Sequence, residues 1–144
     1  MGANNIHGAE AGKALGDAVA ANSVLKELDV SSNNWKDIFG DWDGDGPGFA
    51  KELAAGVTAN GALSSVNILK NGIKDEGLQA IETVFSESQT LKSICGATGA
   101  ELDLSGQGLG AKDAKVVAIE LKYNGALTSL NISSNHLGEL VPPE

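Results

Sequence analysis

The acidic residues with the sharpest spacing lie in Asp41-Trp42-Asp43-Gly44-Asp45-Gly46-Pro47-Gly48-Phe49-Ala50-Lys51-Glu52. Calcium takes about six to eight oxygen ligands, and carboxylates at alternate positions converge on one point. Asp41, Asp43 and Asp45 supply that alternation. Gly46 permits the sharp turn, and Pro47 offers a carbonyl, which needs no N–H. Glu52, at the twelfth position, closes the shell with two oxygens. The spacing therefore predicts a Ca2+ site built from Asp41, Asp43, Asp45, Pro47 and Glu52. Two features depart from a standard calcium loop. Gly48 stands where an apolar residue pairs neighbouring loops, and Trp35 to Phe39 is only about one helical turn. The competing reading is an acidic, Gly-rich surface loop whose Asp residues favour turns. In that reading Pro47-Gly48 punctuates the start of a helix from Phe49 to Asn60.

Catalysis needs a nucleophile, a base and an orienting group within reach of one another. His7 and His136 sit in opposite terminal turns and are expected far apart. Cys95, in Ser93-Ile94-Cys95-Gly96-Ala97-Thr98-Gly99, is expected as a buried or half-buried spectator thiol. Gly106-Gln107-Gly108-Leu109-Gly110 precedes a helix from Ala111, but it lacks G-x-G-x-x-G and the G-K-[ST] ending of a phosphate loop. The residues compose no catalytic constellation, and no enzymatic activity or organic cofactor is expected.

Apolar residues make up 42% of the 144 positions and aromatics only 4%, so any core must be aliphatic. The net charge of −9 argues against nucleic acid, whose phosphates require clustered Lys and Arg. It argues equally against anionic membrane surfaces. No stretch approaches the roughly 20 apolar residues of a membrane span. The single cysteine excludes an internal disulfide, and the polar start Met1 to His7 is no signal peptide. An intracellular chain, soluble or peripheral in a complex, is expected.

The elements that must position these residues repeat along the chain. Leu25-Lys-Glu-Leu28-Asp-Val30-Ser-Ser-Asn33-Asn-Trp35 aligns with Leu63-Ser-Ser-Val66-Asn-Ile68-Leu-Lys-Asn71-Gly-Ile73. Leu127-Thr-Ser-Leu130-Asn-Ile132-Ser-Ser-Asn135-His-Leu137 aligns with both, and Leu102-Asp-Leu104-Ser-Gly-Gln107-Gly-Leu109 aligns in part. Each segment fits L-x-x-L-x-L-x-x-N-x-L. Upstream of each stands an i, i+4 apolar pair: Leu15 and Val19, Leu53 and Val57, Ile81 and Phe85, Val117 and Leu121. Such a pair marks one face of a helix. Asn60-Gly61 and Asn124-Gly125 are expected to stop their helices in the left-handed conformation. Each unit thus reads helix, turn, strand, turn. Val30, Ile68, Leu104 and Ile132 are spaced by 38, 36 and 28 residues, which places insertions at about 36–48 and 95–100.

The pattern resembles the helix-containing leucine-rich repeats of ribonuclease inhibitor and related intracellular recognition proteins. That resemblance spans nearly the whole chain and implies one domain, residues 1–144. The fold it implies is an α/β solenoid of about four coils, with a parallel concave sheet and helices on the convex side. It also implies that Asn33, Asn71 and Asn135 bond backbone groups of neighbouring coils. Gln107 departs from that position, so the ladder should be distorted there.

Alternate strand residues point away from the core. The set expected on the concave face comprises Glu27, Asp29, Ser31, Ser32, Ser65, Asn67, Leu69, Lys70, Glu101, Asp103, Ser105, Ser129, Asn131, Ser133 and Ser134. Of these, Glu27, Asp29, Asn67, Lys70, Glu101, Asp103 and Asn131 are the candidate partner-binding residues. The face is mildly acidic and suits a basic protein partner. Asn4-Asn5-Ile6 matches the end of an earlier unit, and Leu137 to Glu144 ends mid-unit without a polar cap. Either the chain is cut from a longer one, or a larger assembly covers its ends. The functional expectation is a protein–protein interaction scaffold or structural subunit. The alternative is a calcium-responsive adaptor using the Asp41–Glu52 loop.

Overall fold

Helix and strand alternate four times in the computed structural model, which describes residues 8–32, 48–71, 73 and 75–137. The elements are α1 (Gly8–Ala21), β1 (Glu27–Asp29), α2 (Phe49–Ala59), β2 (Ser65–Asn67), α3 (Asp75–Glu87), β3 (Glu101–Asp103), α4 (Ala111–Tyr123) and β4 (Ser129–Asn131). This is an α/β leucine-rich-repeat architecture, with every pair of neighbouring strands parallel.

The apolar pairs on the helices drive the packing. Val19, Leu53, Val57, Ile81, Phe85 and Val117 are buried, and Leu15 is partly buried against the same core. From the strand segments come Val30, Leu63, Val66, Ile68, Leu91, Ile94 and Leu104. The core is aliphatic apart from Phe49 and Phe85, as the low aromatic content requires. Leu121 corrects the helix-face expectation. It is 56% exposed, although its counterparts Val19, Val57 and Phe85 are 3%, 7% and 3% exposed. α4 instead buries Asp113, Val116, Val117, Ile119 and Glu120. On α1, α2 and α3 this position is buried; on α4 nothing described stacks beyond it.

α1 and α2 meet along glycines. A Cβ on Gly12 would come 2.5 Å from the Phe49 carbonyl, and one on Gly16 would come 2.7 Å from the Glu52 carbonyl. A Cβ on Gly56 would run into the backbone of Gly16. Only hydrogen fits at these points, so the two backbones approach closely.

Helix ends depart from the left-handed expectation. Asn60 and Asn124 are extended, at φ −88° and φ −82°. Their side chains cap the following turn instead. The Asn60 Oδ1 accepts from the amides of Ala62 and Leu63, both at 2.7 Å. Asn22, Ser88 and Asn124 make the same pair of bonds two and three residues ahead. The Asn60 Nδ2 also donates back to the carbonyls of Val19 and Asn22 in the preceding unit. A polar side chain that satisfies buried backbone on both sides outweighs the left-handed cap.

The parallel strands expected from the repeat are present, in two two-stranded sheets, β1–β2 and β3–β4. Between them Ser93 bridges Ser65 in parallel, and Cys95 bridges Asn67 in antiparallel fashion. The Val66 amide donates to the Ser93 carbonyl at 3.0 Å, and the Ile68 amide to the Ile94 carbonyl at 3.1 Å. The third unit therefore enters the stack twice, first at Leu91–Cys95 beside β2 and then at β3 beside β4. The insertion near 95–100 forces the split. Gly96 turns the chain at φ +86°, and the Ser93 hydroxyl oxygen accepts from the amides of Cys95 and Ala97.

Candidate functional site

Each strand exits through the same backbone conformation. Ser32, Lys70, Gly106 and Ser134 all sit at φ between 60° and 64°, immediately before the ladder position. The Asn71 Nδ2 then donates to the carbonyls of Val30 and Ile68, each at 3.0 Å. The Asn135 Nδ2 donates to Leu104 and Ile132, while its Oδ1 accepts from the amides of Gln107 and Leu109. These side chains stitch one unit to the previous one. Asn33 lies outside the described residues.

Gln107 breaks the ladder as expected, its side chain being exposed. Two carboxylates of α4 bond the neighbouring units, and neither stands out in the sequence. Asp113, in the first turn of α4, accepts from the Lys70 amide at 2.8 Å and from the Gly110 amide at 3.1 Å. Glu120 is fully buried. Its Oε2 accepts from the Ser93 hydroxyl at 2.6 Å and from the Asn124 side chain at 3.0 Å. Its Oε1 accepts from the Ile94 amide at 2.8 Å. Buried carboxylates are tolerated when donors saturate them. Cys95 lies close by and is buried. Burial foremost, then the charges of Glu120 and Asp113, pushes its thiol well above the ordinary 9.0.

The strand-side face carries the exposed acids. Glu27, Asp29, Glu101, Asp103 and Asn131 are exposed, while Asn67 and Lys70 are half-buried. The register places Glu27 beside Ser65 and Asp29 beside Asn67, and Glu101 beside Ser129 and Asp103 beside Asn131. Three members of the expected face belong elsewhere. Ser65 and Leu69 are buried, at 4% and 1% exposure. Asn67 lies under the insertion, since a Cβ on Gly96 would come 3.2 Å from the Asn67 Cβ.

Asp29, Asn67, Asp103 and Asn131 share one further task. Each accepts from the amide two residues ahead, in Ser31, Leu69, Ser105 and Ser133. Asp103 also accepts from the Ser105 hydroxyl at 2.6 Å. The two Ser105 bonds hold its carboxyl below the ordinary 3.8. All four thus end their strands, and Asp29 and Asp103 also charge the surface.

Of the calcium-site residues, Asp41, Asp43, Asp45 and Pro47 lie outside the described residues, as do His7, Trp35 and Trp42. Glu52 stands in the first turn of α2, half-buried, with its backbone against Gly16 of α1. Among the described residues no group of three His, Cys, Asp or Glu side chains could hold a metal ion. His136 is exposed at a turn where its amide donates to the Leu109 carbonyl.

The comparisons agree with this geometry. One leucine-rich-repeat family model matches residues 126–144, and a second matches residues 21–34 and 62–81. The chain is a leucine-rich-repeat protein. The matched segments contain β1, β2 and β4. Among solved structures the chain is similar to one titled Leiomodin-1 Actin-Binding Site 2 (ABS2), at 21% identity and TM-score 0.52. That similarity covers 98% of this chain and 70% of the other. At this identity the likeness shows the shared fold. No curated protein matches the chain. No described helix of this leucine-rich-repeat protein is long and apolar enough to cross a membrane.

Proposed function

We propose that this leucine-rich-repeat protein is a protein–protein interaction scaffold that receives a basic partner segment on its strand-side face. The observation that carries the reading is the exposure of Glu27, Asp29, Glu101 and Asp103 on the two strand pairs. The net charge of −9 supports the same sign of partner. Charge complementarity mainly sets partner choice and association rate. A binding role is favoured over a catalytic one because Cys95 is buried with its thiol pushed up, while His136 stands at an exposed turn.

The test is quantitative affinity capture with three baits: the natural chain, a Glu27→Lys/Asp29→Lys/Glu101→Lys/Asp103→Lys variant, and a helix-side Glu10→Lys/Glu76→Lys/Glu87→Lys control. Partners kept by the control and lost by the strand-side variant are expected. Identical partners on all three baits would sink the reading. The similar structure's title makes actin the first purified partner to try.

A calcium-responsive form of this scaffold rests on the Asp41–Glu52 spacing alone. Calorimetric titration with calcium, with magnesium as control, tests it. Heat that vanishes in Asp41→Ala/Glu52→Gln is the expected result, and no heat at millimolar calcium removes the idea.

A further inference from the structure

We propose that two copies of this chain stack head to tail, with β1 of one copy pairing in parallel with the outer edge of β4 of the next. The case begins with the backbone. In a parallel ladder the peptide groups of successive residues face opposite neighbours. The Val30 amide donates to Asn67 and the Lys26 carbonyl accepts from Ser65, so even-numbered groups of the first unit face β2. The amides and carbonyls of Glu27 and Asp29 therefore face the outer edge. On β4 the parity is reversed. The Ser129 amide donates to Ala100, and the Asn131 and Ser133 carbonyls accept from Leu104 and Gly106, so odd-numbered groups face β3. The amides of Leu130 and Ile132 face outward, and nothing described pairs with them. Placed beside one another, the two edges offer donors and acceptors in phase.

The side chains continue the same order. Both internal pairs set a Glu-Leu-Asp strand against a Ser-x-Asn strand in one register. A β1 added to β4 would bring Glu27 beside Ser129 and Asp29 beside Asn131. Those are the neighbours the molecule already uses, and no acid faces an acid. Among the described residues, the apolar layer beneath is also less covered at both ends of the stack. Leu25 and Leu28 of the first unit are half-buried, as are Leu127, Leu130 and Ile132 of the last, and Leu121 is exposed. Their counterparts Leu63, Leu91, Val66, Ile94 and Ile68 are all 4% exposed or less. The two surfaces differ, so the contact is heterologous and leaves an acceptor face open on every oligomer.

The test uses the 144-residue chain and two variants at opposite ends. Asp29→Pro removes an outward amide from an edge strand, where proline is tolerated. Leu121→Lys places a charge on an already exposed side chain. Circular dichroism confirms that both fold. Sedimentation velocity from micromolar to millimolar chain should show open-ended association of the natural protein, and monomers for each variant alone. Mixing the two variants should give a dimer that grows no further, since each supplies the face the other lacks. A natural chain that stays monomeric at millimolar concentration overturns the proposal. So does a closed dimer that neither variant breaks, or one that mixing fails to restore. Loss of basic-partner binding leaves this result untouched, so the two readings fail separately.

Discussion

At the scale of single residues, buried polar groups hold the third unit in place. Glu120 collects three hydrogen bonds, from Ser93, Ile94 and Asn124. Glu120→Leu would leave the Ser93 hydroxyl and the Ile94 amide without their acceptor. Each orphaned buried group costs about 1–3 kcal/mol. A clear fall in the urea midpoint is expected, with Glu120→Gln falling less. Cys95 offers a second check. Its thiol should react with a disulfide reagent only when the chain opens. Its raised pKa also fixes a sign. Below the ordinary 9.0 the thiol is protonated in both states, and the stabilisation is complete. As pH rises past 9.0 the unfolded chain ionises first, so stability falls; Cys95→Ala should remove that part of the fall. Asp103 behaves in the opposite sense, since its carboxyl is lowered by Ser105. Its contribution is present above 3.8 and is lost as pH falls through the lowered value. In Ser105→Ala, an NMR titration should find the Asp103 carboxyl nearer 3.8.

At the scale of elements, backbone proximity and backbone conformation matter more than side-chain size. Gly56→Ala should weaken the α1–α2 contact, because its methyl group meets the Gly16 backbone and neither helix has a flexible side chain to move aside. Overpacking of this kind costs about 1–3 kcal/mol. Gly61→Ala, where nothing lies within 4 Å, is the matched control. Thermal unfolding of the pair separates the packing effect from a general effect of glycine replacement. The strand exits give a second contrast. Ser32 and Ser134 occupy the left-handed region, which costs an L-residue about 1–2 kcal/mol. Ser134→Val should destabilise the chain and Ser134→Gly should not, as read by denaturant midpoints.

At the scale of the whole molecule, stability should be graded along the stack. Leu53, Leu63, Ile68 and Ile94 are almost completely buried, whereas Leu127, Leu130 and Ile132 are half-buried. Repeat arrays fray where a unit has one neighbour instead of two. Amide exchange should therefore be slowest in α2 and β2 and faster in β4. Uniform protection along the chain would contradict nearest-neighbour stacking as the source of stability.

Much of this was legible without coordinates, for a physical reason. The period of the apolar residues, the L-x-x-L-x-L strands and the helical i, i+4 pairs are local patterns, and local patterns dictate helix, strand and the side each turns to the core. Asn71 and Asn135 were readable for the same reason, since the position after each strand recurs. What the spacing could not show depends on which groups meet across units. The insertion near 95–100 was visible as extra length. Only the fold shows that it divides the sheet and lies over Asn67. Asp113 and Glu120 read as ordinary charges of a helix; three-dimensional packing makes them acceptors for the Lys70 and Ile94 amides of other units. Leu121 shows the converse. Its place in the repeat is that of a core residue, and its exposure follows from having no described unit stacked beyond it. Periodicity thus determined the kind of unit and its inward face, while burial, charge neighbours and the open edges were decided by how the units stack. Those are properties of residue pairs far apart in the chain, which no local pattern encodes.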